Sequence, residues 1–216
     1  MKRIRILLLI AYLCTQVSVY AQLSTNEHPV SFDSKLRLTE IFKSPIYAVT
    51  MPILDMEKIE AEDKDNGRNG MLPRFGYKHK VNFDLNNSGI WYELPNGDKL
   101  WQLNVTCPNA LSVNICYDKF WIPEGGKLFV YSKDKKQSIG AFTYRNNKGD
   151  RNHIRGFATE LIYGSNVVLE YYQPKDVTAD AIISLDYIVH GYKNLKDRNS
   201  SQPCMVNINC DEGLNW

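Results

Sequence analysis

The sequence has 216 residues, with 26 Lys and Arg against 24 Asp and Glu, and 12% of its residues are aromatic. This length fits one domain of about 100–200 residues with flanking segments, and the many aromatic side chains favour a folded, β-rich body over disorder. The formal net charge of +2 is too small to indicate the basic field that nucleic-acid binding requires.

The N-terminus has the three parts of a secretory signal peptide. Basic residues come first, an apolar run follows from Ile6 to Cys14, and aliphatic or small residues precede Ala21. We therefore predict a signal peptide over 1–21, cleavage between Ala21 and Gln22, and a secreted protein. The run is too short to span about 30 Å of hydrocarbon, so no membrane partner is expected once the signal is removed. Its removal leaves 23 basic and 24 acidic residues, so the exported chain is near neutral.

The segment after the signal, 22–70, has no sustained hydrophobic period, and we predict an irregular lead-in with one short helix over Leu54 to Ala61. The polar stretch 62–70, rich in Gly and Asn, is typical of a solvated loop. It superficially resembles a calcium loop. However, Gly67 falls at the third ligand position and Arg74 stands where a bidentate Glu is needed, so no metal site is predicted there.

Short β-strands dominate from 71 to 190. The strongest hairpin signal is Pro95-Asn96-Gly97-Asp98, because Asn-Gly supplies the positive φ angles of a tight turn. The strand after it alternates, with Cys107 continuing the apolar face of Trp101, Leu103 and Val105. We predict an all-β fold, an antiparallel, jelly-roll-like β-sandwich. Further strands are expected at Leu111 to Cys116, Lys127 to Tyr131, Ser138 to Tyr144, Ile154 to Glu160, Val167 to Tyr172 and Ala181 to Val189.

The sequence shows no complete catalytic or metal-binding motif. The four histidines, His28, His79, His153 and His190, have no metal-ligand spacing, and His79 and His190 are predicted to be surface or satisfied structural histidines. There is no G-x-S-x-G elbow and no glycine-rich phosphate loop, and Ser165 is interpreted as a turn serine. We therefore predict no catalysis, no metal and no cofactor for these residues.

Four cysteines follow the signal, and export permits disulfides. Cys204 and Cys210 bracket an alternating, strand-like segment whose six-residue span is about 20 Å. Bonded cysteines have Cα atoms about 4.4–6.8 Å apart, so this pair should not bond unless the segment turns sharply. A bond between Cys107 and Cys116 stays open but is disfavoured, because they fall on opposite strand faces. The simpler inference is that Cys204 and Cys210 lack partners in this chain.

The tail 204–216 carries a resemblance to a known family. Its order of Cys, alternating aliphatic and polar residues, Cys, and an acidic-Gly turn resembles the start of the mature protease in lysyl-endopeptidase-like, trypsin-fold secreted serine proteases. In that family the two early cysteines bond to cysteines of the catalytic domain. The resemblance thus implies that Cys204 and Cys210 bond to a protease domain that is missing from this chain.

The body of the chain resembles the pro-region of the same precursors, so that the resemblance covers about residues 70–216. It implies a pro-domain that assists folding of a cognate protease domain in cis and inhibits it until cleavage. The family's His, Asp and Ser triad is not present here, so no catalytic residue carries over. The pieces that match are Gly89 to Trp91, Gly97 to Trp101, Phe120 to Tyr131, Gly140 to Thr143 and Val168 to Pro174.

The polar segment 191–203 loses all periodicity and is predicted to be an exposed processing linker, followed by the start of a truncated protease domain at 204–216. Maturation is expected in this linker. Lys196 is the first candidate because the resembling proteases cleave after lysine, and Lys193 and Arg198 are alternatives.

A rival interpretation is a stand-alone secreted β-sandwich module that binds a glycan or a peptide. Exposed Trp91, Tyr92 or Trp121 would then provide a stacking platform. The ordinary alternative places these side chains in the core, and we prefer it for residues in alternating strands.

Overall fold

The structure is a computed structural model that describes residues 25, 27–33 and 47–194. Strands dominate these segments, with one α-helix. In the described part of the chain, no helix has both the length and the apolar character needed to cross a bilayer. The strands are β1 Ala48–Thr50, β2 Gly76–Asp84, β3 Ile90–Glu93, β4 Lys99–Thr106, β5 Ser112–Trp121, β6 Lys127–Ser132, β7 Ser138–Phe142, β8 Gly149–Asp150, β9 His153–Ile154, β10 Phe157–Ala158, β11 Ile162–Tyr163, β12 Asn166–Gln173 and β13 Ile182–Gly191, and the helix is α1 Met56–Arg68.

Sheet A has six strands in the order β1-β4-β12-β6-β7, with β3 also beside β4. The β3–β4 hairpin forms where Asn96-Gly97 predicted it, and its register pairs Trp91 with Trp101. Gly97 has φ +86°, the conformation that this turn needs and that glycine adopts without strain. All pairings in the sheet are antiparallel except that of β1, which runs parallel to β4.

Sheet B has five strands in the order β10-β5-β13-β2, and β11 also pairs with β5. Its central strand β13 is antiparallel to both β5 and β2, with register shifts between Leu185 and Tyr187. The last strand of the sandwich therefore lies inside a sheet, and the chain leaves the fold at Gly191. The short strands β8 and β9 form a separate hairpin.

The core lies between the two sheets. Alternate positions of β4, β12 and β6 meet those of β5 and β13, as period-2 strands require. Trp101 and Tyr171 are fully buried there, and Cys107 continues the inner face of β4 as its sequence position predicted. The all-β sandwich is thus confirmed, with residues of both sheets in one apolar cluster.

The described part of the region before the sandwich contains more regular secondary structure than predicted. Helix α1 covers 56–68, although a short helix followed by a loop over 62–70 was expected. Asp55 caps the helix, because its side chain accepts a hydrogen bond from the backbone N–H of Lys58. The helix carries few apolar residues, and Ile59 alone among them is buried. The irregular lead-in predicted over 22–70 also contains β1, which joins the edge of sheet A.

Candidate functional site

A group of four side chains, which we call the exit cluster, binds the chain just after the end of β13. Its members are Asp63, Arg74, Tyr192 and Lys193. Asp63 accepts from Lys193 Nζ at 2.6 Å, from the Tyr192 hydroxyl at 2.9 Å and from Arg74 Nε at 2.5 Å. Arg74 also reaches Glu62 Oε2 at 2.8 Å. One carboxylate of α1 thus binds the first two residues after the last strand.

Backbone bonds reinforce the exit cluster. The N–H groups of Tyr192 and Lys193 both donate to the carbonyl of Phe75, at 3.1 and 3.2 Å. The carbonyl of Gly191 accepts from the N–H of Leu111 at 2.8 Å. The chain is therefore held to β2, to β5 and to α1 through Lys193.

The charges of the exit cluster are mutually stabilising. Burial acts to raise the pKa of Asp63, but hydrogen bonds from Lys193, Arg74 and Tyr192 outweigh it and hold that pKa below its usual value. Burial, with the hydrogen bond to Asp63, raises the pKa of Tyr192 to about 12. The side chain of Asp63 is only 15% exposed, whereas that of Lys193 is 38% exposed. The cluster is therefore a half-buried ion-pair network, and its Coulombic attractions are less screened than those of isolated surface pairs.

Of the predicted cleavage residues, one belongs to this anchor and two follow it in the sequence. Lys193 is inside the exit cluster, where its ammonium is paired with Asp63. Lys196 and Arg198 lie outside the described residues, as do Ala21, Gln22, Cys204 and Cys210. Of the three candidates, the structure describes Lys193 alone, and it places the Lys193 side chain against Asp63.

The two described cysteines are free thiols. Cys107 is fully buried in the core, and burial raises its pKa to about 12, so it is held as an inert thiol. Cys116 is half-buried, and its Sγ lies 3.4 Å from Asn114 Oδ1. The disulfide between them, which the sequence left open and disfavoured, is not formed in the structure.

The histidines differ in their surroundings. His28 and His153 are exposed, and His153 contacts Asp150. His79 and His190 instead are buried, and each keeps one ring nitrogen without a hydrogen-bond partner, which differs from the surface or satisfied role predicted for them. Within the described segments, no group of three or more His, Cys, Asp or Glu side chains is placed to hold a metal ion.

The segment 27–33, here called the N-terminal strap, covers a buried carboxylate on the outer face of sheet A. Glu170 is fully buried, and it accepts from the backbone N–H of Ser31 at 3.1 Å. Its second oxygen accepts from Gln102 Nε2 and from the Tyr131 hydroxyl, both at 2.9 Å. Phe32 packs edge-on against Tyr131, with ring centroids 4.9 Å apart. The strap therefore adds a backbone donor to a buried carboxyl group whose other hydrogen bonds come from side chains of the sheet.

The aromatic residues of the rival interpretation are unequally placed. Tyr92 is 8% exposed and Trp121 is half-buried, whereas Trp91 is 39% exposed. The Trp91 Nε1–H donates to the Leu85 carbonyl at 2.9 Å, which fixes the ring at the open edge of the sandwich. The ring borders a depression of about 430 Å³ whose other lining residues include Asn86, Glu93, Lys99, Gln173 and Asp180.

Sequence reasoning missed the exit cluster and the strap for a common reason. Both join residues that are far apart in the chain: Asp63 and Lys193, or Ser31 and Glu170. The sequence of β12 contains one usable signal. Glu170 stands among apolar and aromatic residues, and an acidic side chain that is buried there needs hydrogen-bond partners. No sequence pattern identified those partners.

No family model matches this chain. Among solved structures, an exo-β-1,3-galactanase from Phanerochaete chrysosporium, crystallised with β-1,3-galactotriose, is similar over 53% of this chain with 11% identity and a TM-score of 0.24. This chain spans 27% of that protein. A similarity this low carries no argument about fold or function.

Proposed function

We propose that this chain is the pro-region of a secreted serine endopeptidase precursor. Its sandwich assists folding of a cognate protease domain and keeps that domain inactive until the chain is cut between the sandwich and Cys204. The residues present here perform no catalysis themselves. The resemblance of residues 70–216 to such precursors is the basis in sequence.

One structural observation supports the proposal: the two residues after the last described strand are anchored to helix α1 and to Phe75. The exit cluster holds the chain through Lys193, and Lys196 is the third residue beyond it. A cut after Lys196 would leave every hydrogen bond of the exit cluster intact. A cut after Lys193 would require the protease to displace Asp63 from the lysine side chain that it must recognise. We therefore prefer Lys196 over Lys193 as the maturation site.

The physical basis for assisted folding is general. A double β-barrel of the trypsin type is dominated by non-local contacts, so it folds slowly. A partner that binds only the native form stabilises that form by mass action. The sandwich suits this role because its core joins both sheets, and the described core residues all precede Gly191.

Cleavage is the first test. The full chain is incubated with a lysine-specific endopeptidase, and the new N-termini are sequenced over time. We expect the earliest product to begin at Asp197. Lys196→Gln should abolish that product, and Lys148→Gln, which removes an exposed lysine outside the exit cluster, is the control that should leave its rate unchanged. An earliest cut within the strands of 76–191 would contradict the proposal.

Assistance and inhibition are tested with the protease itself. The reading frame after Trp216 should encode a His, an Asp and a Gly-x-Ser-Gly-Gly loop. The encoded protease, unfolded and then diluted with or without this chain, should regain activity only in its presence. The added chain should also inhibit the native protease. Equal recovery of activity in both dilutions, without inhibition, would rule the pro-region out.

A second candidate function, a binding module for glycans, is favoured by Trp91 alone. Its fixed, half-exposed ring lies beside the amides of Asn86 and Gln173, a combination that suits stacking and hydrogen bonding to a sugar. Binding to a panel of soluble polysaccharides, followed by calorimetry, tests it. Affinity that is lost in Trp91→Ala and kept in Tyr144→Ala, another exposed aromatic residue, would support this function over the first.

A further inference from the structure

Two buried histidines meet inside the sandwich at the end from which the chain exits. His79 lies on β2 and His190 on β13, where the register pairs His79 with Ile188 and His190 with Tyr77. Both imidazoles therefore lie on the face of sheet B that carries the core residue Ile188. Their ring centroids are 5.6 Å apart, and the residues are 8% and 2% exposed.

The surroundings of the two rings favour neutral imidazoles over protonated ones. The Nε2 atom of His79 and the Nδ1 atom of His190 are buried without a hydrogen-bond partner. Apart from Tyr77, the register neighbours are Ile188 on β13 and Val113 on β5, both apolar. Tyr77 contacts the His79 ring edge-on, with centroids 5.1 Å apart. In the protonated form of either ring, this nitrogen would carry an N–H without an acceptor, so the buried charge would be incompletely hydrogen-bonded.

The charged groups nearest the pair on β2 and β13 and at the chain exit are engaged elsewhere, and Asp186 on β13 pairs with Lys80. On β2, Lys78 and Lys80 lie on the opposite face, over the ring of Tyr187 on β13. At the chain exit, the Asp63 carboxylate is bound within the exit cluster. Burial lowers the pKa of both histidines, and His79 lowers the pKa of His190 further, with no carboxylate among the causes.

The pair is directly connected to the anchored exit. His190 precedes Gly191, which pairs with Gly76, and the carbonyl of the neighbouring Phe75 holds the N–H groups of Tyr192 and Lys193. We propose that mild acid opens this end of the sandwich by protonating the His79–His190 pair, and so exposes the segment after Gly191 to proteases. The consequence for maturation rests on the proposed pro-region function, but the opening itself does not.

The direction of the pH effect follows from linkage. Both histidines have a lower pKa in the folded chain than the ordinary value of 6.5. Below that value the open form binds more protons than the folded form, so the folded form loses stability as the pH falls. Above it both forms are neutral at these sites, and there is no effect. Each proton bound only by the open form changes the opening equilibrium about tenfold per pH unit, and two protons change it about a hundredfold.

Hydrogen exchange of the full chain measures the opening directly. The amides of Tyr192 and Lys193 are followed at about pH 7.5 and 5.5, with exchange rates corrected for intrinsic chemistry. We expect their protection to fall more than tenfold on acidification. The double variant His79→Phe with His190→Phe, which cannot be protonated, should lose this fall. The control His153→Gln removes an exposed histidine and should keep it. Equal protection at both pH values in the unaltered chain would overturn the proposal, as would an unchanged fall in the double variant.

A second measurement needs no variant of the pair. Titration of the imidazole resonances in the unaltered chain should show two histidines with a pKa below 6.5, and their protonation should coincide with exchange at Lys193. A buried pair that titrates at or above 6.5 would overturn the proposal. A chain that opens in acid and is never cut within 194–203 would leave the opening intact and remove the pro-region function, so the two failures are distinguishable.

Discussion

The Nζ atom of Lys193 lies 2.6 Å from Oδ2 of Asp63, so a helix before the sandwich holds the chain that leaves it. Asp63 also binds Tyr192 and Arg74, which makes it the centre of the exit cluster. A single carboxylate therefore holds the two residues that follow β13, and the effect of removing it can be measured.

Asp63→Asn should loosen the exit without unfolding the sandwich. The variant loses the charge that attracts Lys193 and Arg74, and we expect the free energy of unfolding to fall by about 1–2 kcal/mol. Lysine-specific proteolysis, followed by mass spectrometry, should show new cleavage after Lys193. Asp134→Asn, which removes an exposed carboxylate paired with Lys136 in a turn, serves as the control. No gain in cleavage after Lys193 would show that the carboxylate does not protect this bond.

Glu170→Gln should destabilise the sandwich. One carboxyl oxygen of Glu170 accepts two side-chain hydrogen bonds, and the amide that replaces the carboxyl group has an NH₂ donor in place of one of its two acceptor oxygens. Gln102 and Tyr131 then compete for fewer acceptor sites in a fully buried place. We expect a loss of about 1–3 kcal/mol in urea unfolding. Glu124→Gln, in an exposed turn, should change stability by less than about 0.5 kcal/mol. Equal effects of both variants would mean that the Glu170 network contributes nothing net.

Two substitutions of Ser31 can test the backbone hydrogen bond from the strap to Glu170 separately from the side-chain bonds. Ser31→Pro removes the N–H that donates to Glu170, whereas Ser31→Ala keeps it and removes only the hydroxyl that lies 3.0 Å from the Tyr131 hydroxyl. We expect Ser31→Pro to cost more stability than Ser31→Ala by about 1–2 kcal/mol, measured by urea unfolding. If the two variants are equally stable, the strap is not held through this bond.

The parts of the fold that follow from local pattern were predictable, and those that depend on distant partners were not. Asn96-Gly97 predicted the β3–β4 hairpin, and alternation predicted the inward position of Cys107, because both signals lie within one strand or turn. Helix α1 was predicted too short. Its C-terminal half is polar and includes Gly67, which resembles a loop, yet Asp63 on that half is tied to Lys193.

The same distinction holds for the buried polar residues. The sequence shows His79 between two lysines and His190 at a strand end, which is typical of exposed positions. Burial follows only when β2 pairs with β13 and brings the two rings onto one face. Register between strands about a hundred residues apart in sequence is not readable from either strand alone.

Alanine substitutions at two glycines, Gly67 in α1 and Gly89 before β3, should change stability in opposite directions. Gly67 lies in α1 with open space around its Cα, so Gly67→Ala should stabilise the chain by about 0.5 kcal/mol. Gly89 has φ +74°, and a Cβ there would meet the carbonyl oxygen of Gln102 at 2.6 Å. Gly89→Ala should therefore destabilise the chain by more than about 1 kcal/mol. Thermal unfolding of both variants checks the signs, and a stabilising Gly89→Ala would contradict the described turn.

Asp98 in the β3–β4 hairpin turn is hydrogen-bonded to the end of β12 and the residues after it. Its carboxylate accepts from the Tyr172 hydroxyl at 2.5 Å and from the Lys175 N–H at 2.9 Å, and acid should weaken these bonds. Burial acts to raise the pKa of Asp98, but the bonds from Tyr172, Lys175 and Asn96 outweigh it, and the net pKa is lowered from 3.8. A carboxyl with a lowered folded pKa stabilises the chain above its unfolded pKa and loses that contribution as the pH falls through the folded value.

The unaltered chain should therefore lose stability below about pH 4 more steeply than Asp98→Asn, which should itself be less stable at neutral pH by about 1–2 kcal/mol. Urea unfolding at a series of pH values measures both differences. Asp118→Asn, at an exposed position of β5, should reproduce the slope of the unaltered chain. Parallel slopes for the unaltered chain and Asp98→Asn would mean that Asp98 titrates alike in the folded and unfolded chains, and that its hydrogen bonds do not favour the charged form.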